Sequence, residues 1–142
     1  MKVPDVNLLI YAINDRSPGH AQALAWWNAT LSGSETVGLP WSVLLGFVRV
    51  MTSPSVLVVP LKAEAALRYV DRWLARRNTT IIEPTGRHTA ILRDLLDRTG
   101  TGGNLVSDAH LAALAMEHGA ELASADRDFG RFPGLRWVNP LA

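Results

Sequence analysis

The sequence has 142 residues and a mass of 15.5 kDa, which is the usual size of one domain. Hydrophobic residues make up 48% of it and charged residues 19%, a composition that excludes an intrinsically disordered chain. The formal net charge is only +1, so a general basic surface is not predicted. There is no cysteine, which excludes a disulfide, a thiolate metal site and a cysteine nucleophile. No apolar run reaches the roughly 18 residues of a membrane span, and Asp5 interrupts the start where a signal peptide would be apolar. We therefore expect a soluble, cytoplasmic protein.

Short β-prone segments alternate with helical segments along the whole chain. A strand that runs directly into a helix is predicted over residues 3–12, with Asp5 at the changeover. Further strands are predicted over residues 36–39, 79–82, 120–125 and 135–138. Helices are predicted over residues 20–31, 42–52, 62–77, 87–98 and 107–118, and a turn or short helix over 126–132. The alternation predicts a single α/β domain over residues 1–142, with a mostly parallel sheet and right-handed crossovers.

Four aspartates are predicted to meet at one edge of this sheet. Asp5 follows the first strand, Asp126 and Asp128 follow the strand at 120–125, and Asp108 begins the helix that precedes that strand. Carboxylates this close to one another repel unless a cation offsets their charge. Mg²⁺ or Mn²⁺ suits such a site because these ions prefer oxygen ligands, keep waters and can clamp a phosphodiester for in-line attack. Taken singly, each aspartate also suits a helix cap or a turn.

With these residues in place, three segments of the sequence resemble the PIN domain, and specifically the VapC toxin ribonucleases of bacterial toxin–antitoxin pairs. The segments are PDVNLLIYA, PWSVLLGFVRVMT and the long C-terminal GNLVSDAHLAALAMEHGAELASADRDFGRFPGLRWVNPL. Their order and separations fit from the first strand to the C-terminus, so the resemblance covers essentially the whole chain. It implies a PIN-like three-layer α/β/α sandwich with a short central sheet.

The resemblance also implies roles for individual residues. Asp5, Asp108 and Asp126 are expected to hold the metal, and Asp128 is expected to be a further ligand or an acidic residue that supports the ligands. Arg49 is expected either to contact a phosphate or to pair with a site carboxylate. Asn7, near the first aspartate, and Asn104 and Ser107, beside Asp108, are expected to orient the carboxylates or the substrate. Asn104 and Ser107 also suit the start of a helix.

The function implied by the resemblance is that of a Mg²⁺- or Mn²⁺-dependent endoribonuclease toxin. Such a toxin hydrolyses structured RNA, for example tRNA or rRNA, and thereby inhibits translation and growth. A cognate VapB-type antitoxin and a homodimer are the expected assemblies. The alternatives are a catalytically silent PIN domain that binds RNA or protein, and a small-molecule phosphohydrolase on a similar sheet.

One position departs from the family pattern. Gly46 stands where most PIN nucleases carry a glutamate, on the helix predicted over residues 42–52. The loss of that carboxylate leaves enough ligands for one ion, so we expect one well-occupied metal site in the absence of RNA. A glycine inside a helix costs about 1 kcal/mol relative to alanine, which predicts close packing or retained space at this position.

Two further features do not point to a site. The glycine-rich segment 99–103 completes neither a Walker loop nor a dinucleotide-binding loop, so it is expected to be a flexible loop beside the carboxylates. The four histidines, His20, His88, His110 and His118, are scattered and lack zinc-site spacing. We expect His110, which follows Asp108 closely, to have a packing or surface role, with an approach to the scissile phosphate as the alternative.

Overall fold

The computed structural model describes residues 1–100, 102–103 and 105–142. Its strands are β1 (Lys2–Pro4), β2 (Val37–Leu39), β3 (Thr79–Ile81), β4 (Glu121–Ala123) and β5 (Trp137–Val138). Its helices are α1 (Val6–Ile13), α2 (His20–Ser32), α3 (Trp41–Met51), α4 (Ala63–Leu74), α5 (His88–Thr99) and α6 (Leu105–Glu117). A short 3₁₀ helix, Arg127–Arg131, lies between β4 and β5.

The strands form one sheet in the order β3-β2-β1-β4-β5, and every neighbouring pair is parallel. The predicted α/β sandwich is confirmed, and the sheet is parallel throughout the described residues where a mostly parallel one was expected. β1 lies at the centre of the sheet, and β4 lies next to it in a register that pairs Val3 with Leu122. The first strand of the chain is therefore hydrogen-bonded to a strand near the chain's end.

Helices flank the sheet and bury their apolar faces against it. An aromatic group at the centre of one helical layer joins α2, α3 and α4: the ring of Trp73 lies 5.6 Å from that of Trp27 and 4.7 Å from that of Phe47. All three side chains are at most 4% exposed. Large aromatic rings of this kind contribute much of the apolar area that a small core buries. They fix the position of α3, which forms one wall of the site described below.

Two helix starts place aspartates at the carboxyl edge of the sheet. The side chain of Asp5 caps α1, since its Oδ1 accepts a hydrogen bond from the backbone N–H of Val6 at 2.7 Å. α6 begins at Leu105, two residues before the predicted start, and still has Asp108 in its first turn. Within the part of the chain that the structure describes, no helix is both long and apolar enough to cross a bilayer.

Candidate active site

Three of the four predicted carboxylates come together into one cluster. One carboxylate oxygen from each of Asp108, Asp126 and Asp128 lies within 4.8 Å of the other two, which is a spacing that a single metal ion can bridge. Asp108 comes from the first turn of α6, and the other two come from the segment that follows β4. Asp128, expected as a further ligand or acid, thus lies beside two of the three residues that were expected to hold the ion.

Asp5 lies against this cluster without joining the trio. Its Oδ2 accepts a hydrogen bond from the hydroxyl of Ser124 at 2.7 Å, while its Oδ1 caps α1. Burial raises the pKa of Asp5 above its ordinary value, the two hydrogen bonds oppose that rise, and repulsion from Asp126 adds to it. The cap and the site roles of Asp5 are therefore compatible, because each carboxylate oxygen has a second lone pair.

Asp126 also combines a local structural role with its place in the cluster. Its Oδ1 accepts a hydrogen bond from the backbone N–H of Asp128 at 2.9 Å and so caps the short 3₁₀ helix. The same turn sets the position of Asp128 relative to Asp126. The turn role considered for these residues from sequence is thus part of what builds the cluster.

The electrostatics of the cluster are those of a cation site. Burial, and then repulsion from Asp126, Asp5 and Asp128 in that order, raises the pKa of Asp108 from 3.8 to about 6. Among the described residues, no lysine or arginine forms an ion pair with any of these four carboxylates. Uncompensated carboxylates at this spacing, with oxygen donors only, fit a hard divalent cation such as Mg²⁺ or Mn²⁺.

A buried serine that the sequence analysis missed links these carboxylates. Ser124 is fully buried immediately after β4, and its hydroxyl donates to Asp5. The same oxygen accepts hydrogen bonds from the side chain of Asn7 at 3.3 Å and from the backbone N–H of Asp126 at 3.0 Å. The hydroxyl thus uses its one donor and both acceptor positions. Its only sequence signal is a polar residue at the end of an otherwise apolar strand segment.

Asn7, predicted to lie near the first aspartate, supports this serine. Besides its bond to Ser124, its side-chain oxygen lies 3.5 Å from the backbone nitrogen of Ala125, which donates to it. Asn7 therefore acts on the carboxylates through Ser124 and the backbone after β4. Asn104, predicted for a similar position near Asp108, lies outside the described residues.

A cavity of about 660 Å³ opens beside the cluster. Asp5, Gly46, Arg49, Ser107 and Asp108 are among the residues that line it. The side chain of Arg49 is exposed there, and the described acidic residues do not pair with it. Of the two alternatives for Arg49, pairing with a site carboxylate is therefore not found. Ser107 is also exposed on this wall.

Gly46 lies where α3 comes closest to the start of α1. A Cβ atom added at this position would lie 3.3 Å from Cγ2 of Val6, which is tighter than most real contacts. Both expectations for this glycine therefore hold, since it packs closely against α1 and also lines the cavity. A larger cavity of about 710 Å³ lies at the opposite, amino edge of the sheet, but no carboxylate lines it.

Two of the histidines are not scattered as the sequence suggested. Nε2 of His88 and Nδ1 of His110 lie 2.9 Å apart, and Nδ1 of His88 lies 2.7 Å from Oε2 of Glu117. The contacts arise because α5 packs against α6, which sequence spacing alone does not reveal. Burial, and secondly the neighbouring His88, lowers the pKa of His110, while Glu117 opposes that change.

Comparison with known proteins agrees with this arrangement. The family model described as the PIN domain matches residues 2–135, which is nearly all of the chain. The chain belongs to the PIN-domain family. Within it, this PIN domain is 49% identical to Ribonuclease VapC37 of Mycobacterium tuberculosis, over 100% of this chain and 99% of that protein. Ribonuclease VapC33 of the same species is 43% identical over 99% of both proteins. The chain is thus a member of the VapC family.

Solved structures share the fold at lower sequence identity. The structure of VapBC2 from Rickettsia felis, bound to a DNA fragment from its promoter, superposes with a TM-score of 0.71 at 23% identity, covering 97% of each chain. VapC20 of Mycobacterium tuberculosis, described as a toxin that cleaves the sarcin–ricin loop, superposes with a TM-score of 0.68 at 17% identity, covering 96% of this chain and 99% of that one. These structures confirm the PIN-like architecture.

Proposed function

We propose that this VapC-family protein is a Mg²⁺- or Mn²⁺-dependent endoribonuclease and the toxin of a VapBC-type pair. The observation that carries the proposal is the cluster of Asp108, Asp126 and Asp128, whose carboxylates are uncompensated among the described residues. Relatives at 49% and 43% identity over nearly their full length are named ribonucleases, which supports the same activity here. Structured RNA, such as tRNA or rRNA, is the proposed substrate, and inhibition of translation is the proposed effect.

In this proposal, one group of residues binds the cation and another group contacts the RNA. Asp108, Asp126 and Asp128 supply oxygen ligands to the ion, and Asp5 adds negative charge and a fourth carboxylate from the start of α1. When bound, the ion supplies the positive charge that offsets these carboxylates and stabilises the charge that develops at the phosphate. Ser124 and Asn7 hold the aspartates in place. Arg49 and Ser107, which line the cavity, are the proposed contacts to the RNA backbone.

The proposed reaction is hydrolysis with water as nucleophile. The water oxygen forms a bond to phosphorus while its proton passes to a carboxylate of the site. The bond from phosphorus to O3′ breaks, and O3′ leaves as a hydroxyl after taking up a proton from solvent. The products then carry a 5′-phosphate and a 3′-hydroxyl. Since the 2′-hydroxyl does not attack, no cyclic phosphate is formed.

The proposed regulator is a VapB-type antitoxin that covers the acidic edge. Several solved structures with the same fold are complexes of VapC with VapB or are described as toxin–antitoxin complexes. Four carboxylates at one edge would be complemented by an arginine of the antitoxin, placed where the ion binds. We further propose a cytoplasmic homodimer. A complex in which all four carboxylates stay open to solvent would contradict this mode of inhibition.

The decisive experiment compares RNA cleavage by the wild-type protein and by aspartate-to-asparagine variants in the presence of Mn²⁺. We expect Asp5→Asn, Asp108→Asn and Asp126→Asn to abolish cleavage while the proteins stay folded. Asp128→Asn should do the same if Asp128 is a direct ligand, and should have a milder effect if it only supports the ligands. Asp71→Asn is the matched control, because Asp71 is exposed on α4, away from the cavity. Sequencing of the RNA ends identifies the cut position and the end chemistry.

Two outcomes would replace the proposal. Binding of RNA without metal-dependent cleavage would favour the catalytically silent PIN domain, which the missing glutamate at Gly46 motivates. Hydrolysis of nucleotides or sugar phosphates without cleavage of RNA would favour a small-molecule phosphohydrolase.

A further inference from the structure

A second cavity adjoins the acidic one and has no role in the site described so far. It measures about 290 Å³, and the side chains of Trp41, Pro84 and Leu114 are among those that line it. Ser42 and His110 line both cavities, so the two spaces lie side by side. Ligand sites span roughly 300–1,000 Å³, so a cavity of this size suits one nucleobase rather than a whole nucleotide.

Trp41 is an unusual residue to find at the edge of this cavity. It is the first residue of α3, and its side chain is 42% exposed, whereas Trp27 and Trp73 are almost completely buried. In the described part of the chain, its ring stacks on no other aromatic ring and its indole N–H makes no hydrogen bond. An exposed aromatic ring at a cavity wall is the usual platform on which proteins stack an unpaired base.

His110, which lines both cavities, is held by a chain of hydrogen bonds that starts at the buried carboxylate of Glu117. The side chain of Glu117 is 0% exposed; its Oε1 accepts from the backbone N–H of Thr85 at 2.6 Å and its Oε2 contacts Nδ1 of His88 at 2.7 Å. His88 in turn contacts Nδ1 of His110 at 2.9 Å. Burying a carboxylate is costly unless it is well hydrogen-bonded, so the contact between Glu117 and His88 is strongly favoured. Because His88 in turn contacts Nδ1 of His110, the ring of His110 has a fixed orientation.

When both imidazole rings are neutral, the carboxylate sets the direction of these hydrogen bonds. Ionised Glu117 can only accept, so Nδ1–H of His88 donates to it, and Nε2 of a neutral His88 accepts from Nδ1–H of His110. Nε2 of a neutral His110 is then an acceptor, and the described residues give it no partner.

We propose that the cavity between Trp41 and His110 is a subsite for the base of one unpaired nucleotide of the RNA, next to the scissile phosphate. Its base stacks on the ring of Trp41, and an N–H or O–H group of the same nucleotide donates a hydrogen bond to Nε2 of His110. His88 and Glu117 are positioning residues that act through His110. The subsite rests on the proposed ribonuclease function, and it adds a preference for the identity of one base.

The test begins with binding, so that it does not depend on cleavage. Asp126→Asn protein is used to select RNA hairpins with a randomised loop, and the bound loops are sequenced. We expect a preference for one base at one loop position. Adding Trp41→Ala or His110→Ala should remove that preference while leaving preferences at other positions, and should weaken binding about tenfold or more, the usual effect of losing one stacked base.

Matched variants separate this role from a structural one. His20→Ala removes a histidine that contacts the carbonyl of Tyr11 in another part of the fold, and it should change neither preference nor affinity. Trp41→Phe should keep the preference, because phenylalanine can still stack. His88→Ala should weaken the same base preference as His110→Ala, whereas a merely structural role would lower the melting temperature and leave the preference intact.

Cleavage is then measured with one of the selected hairpins and Mn²⁺, in proteins that keep Asp126. His110→Ala and Trp41→Ala should raise KM about tenfold and change kcat much less. A 2′-deoxy substitution at the preferred position identifies the group that donates to Nε2 of His110. It weakens binding to the parent Asp126→Asn protein if the 2′-hydroxyl donates, and it has no effect if the base donates. Equal base preferences in the parent, Trp41→Ala and His110→Ala proteins would overturn the subsite. A preference that shifts in these variants without any cleavage by the wild type would instead overturn the proposed ribonuclease function.

Discussion

Individual residues at the acidic edge serve the fold and the site at once. Asp5 caps α1 and Asp126 caps the 3₁₀ helix, yet both belong to the carboxylate group. Caps of this kind typically stabilise a helix by about 1 kcal/mol, which offsets part of the repulsion between the carboxylates. For these residues the structural and the functional interpretation are therefore not alternatives, because the carboxylates that cap the local backbone also belong to the acidic group at this edge.

The first prediction concerns the pH dependence of stability in the metal-free protein. The pKa of Asp108 is about 6 in the folded state, against 3.8 for an unperturbed aspartate, so the folded state favours the protonated form. The metal-free protein is therefore destabilised by this group above about pH 6 and recovers that stability as the pH falls through 6 towards 4. The difference in pKa corresponds to at most about 3 kcal/mol, and solvent screening of a partly exposed carboxylate reduces this to about 1 kcal/mol.

Urea denaturation in the presence of a chelator measures this effect. Asp108→Asn should be more stable than the wild type at about pH 7.5, by about 1 kcal/mol, and the advantage should disappear at about pH 4. The control Asp71→Asn should show no such pH-dependent difference. An Asp108→Asn protein less stable than the wild type at the higher pH would show that the carboxylate is favourable to the fold.

Among the elements, α3 and α1 approach each other closely enough to affect the site. The approach occurs at Gly46 and Val6, and Val6 directly follows Asp5, whose carboxylate its backbone N–H contacts. A side chain at position 46 would push against Val6 and hence against the capped start of α1. The glycine is therefore explained by packing as well as by the cavity that it lines.

The second prediction is that larger side chains at position 46 lower the free energy of unfolding more and weaken Mn²⁺ binding more. Gly46→Ala gains about 1 kcal/mol of helix propensity and loses part of it to crowding, so its free energy of unfolding should change by less than about 1 kcal/mol. Gly46→Val should cost about 1–3 kcal/mol by overpacking and should weaken Mn²⁺ binding. Leu45→Val, on the exposed side of the same helix, is the control. If removing the Val6 side chain with Val6→Ala fails to rescue Gly46→Val, the contact is not the cause.

The sequence predicts the elements of this fold well and their ends less well. Alternating strands and helices are evident from apolar periodicity, and the order of helices and strands is as expected. The strand predicted over residues 120–125 is only Glu121–Ala123, and the hydroxyl of Ser124, directly after it, is hydrogen-bonded to Asp5 and to the backbone N–H of Asp126. α6 begins before its expected Ser107, at Leu105, whose side chain is buried. In both cases tertiary contacts, which the local sequence does not contain, set the boundary.

At the scale of the whole molecule, the site joins the two ends of the chain. Asp5 and Ser124 are 119 positions apart, and they meet because β1 and β4 are neighbours at the centre of the sheet. Sequence reasoning finds the four aspartates because parallel strands share a carboxyl edge. It does not find Ser124 or the contact between His88 and His110, because these depend on how side chains from separate elements pack.

The last prediction uses global unfolding to count bound ions. The carboxylates come together only in the folded chain, so an ion that binds them stabilises the folded state and not the unfolded one. For one ion, each tenfold rise in free Mn²⁺ above the dissociation constant should add about 1.4 kcal/mol to the free energy of unfolding; for two independent ions it should add about 2.8 kcal/mol. Because Gly46 supplies no carboxylate, we expect the smaller slope in the absence of RNA. Urea denaturation over a Mn²⁺ series measures it, with Asp126→Asn as the variant that should flatten the slope and Asp71→Asn as the control that should keep it. The larger slope would mean that another carboxylate, such as Asp5 or Asp128, takes the place of the missing glutamate and completes a second site without substrate.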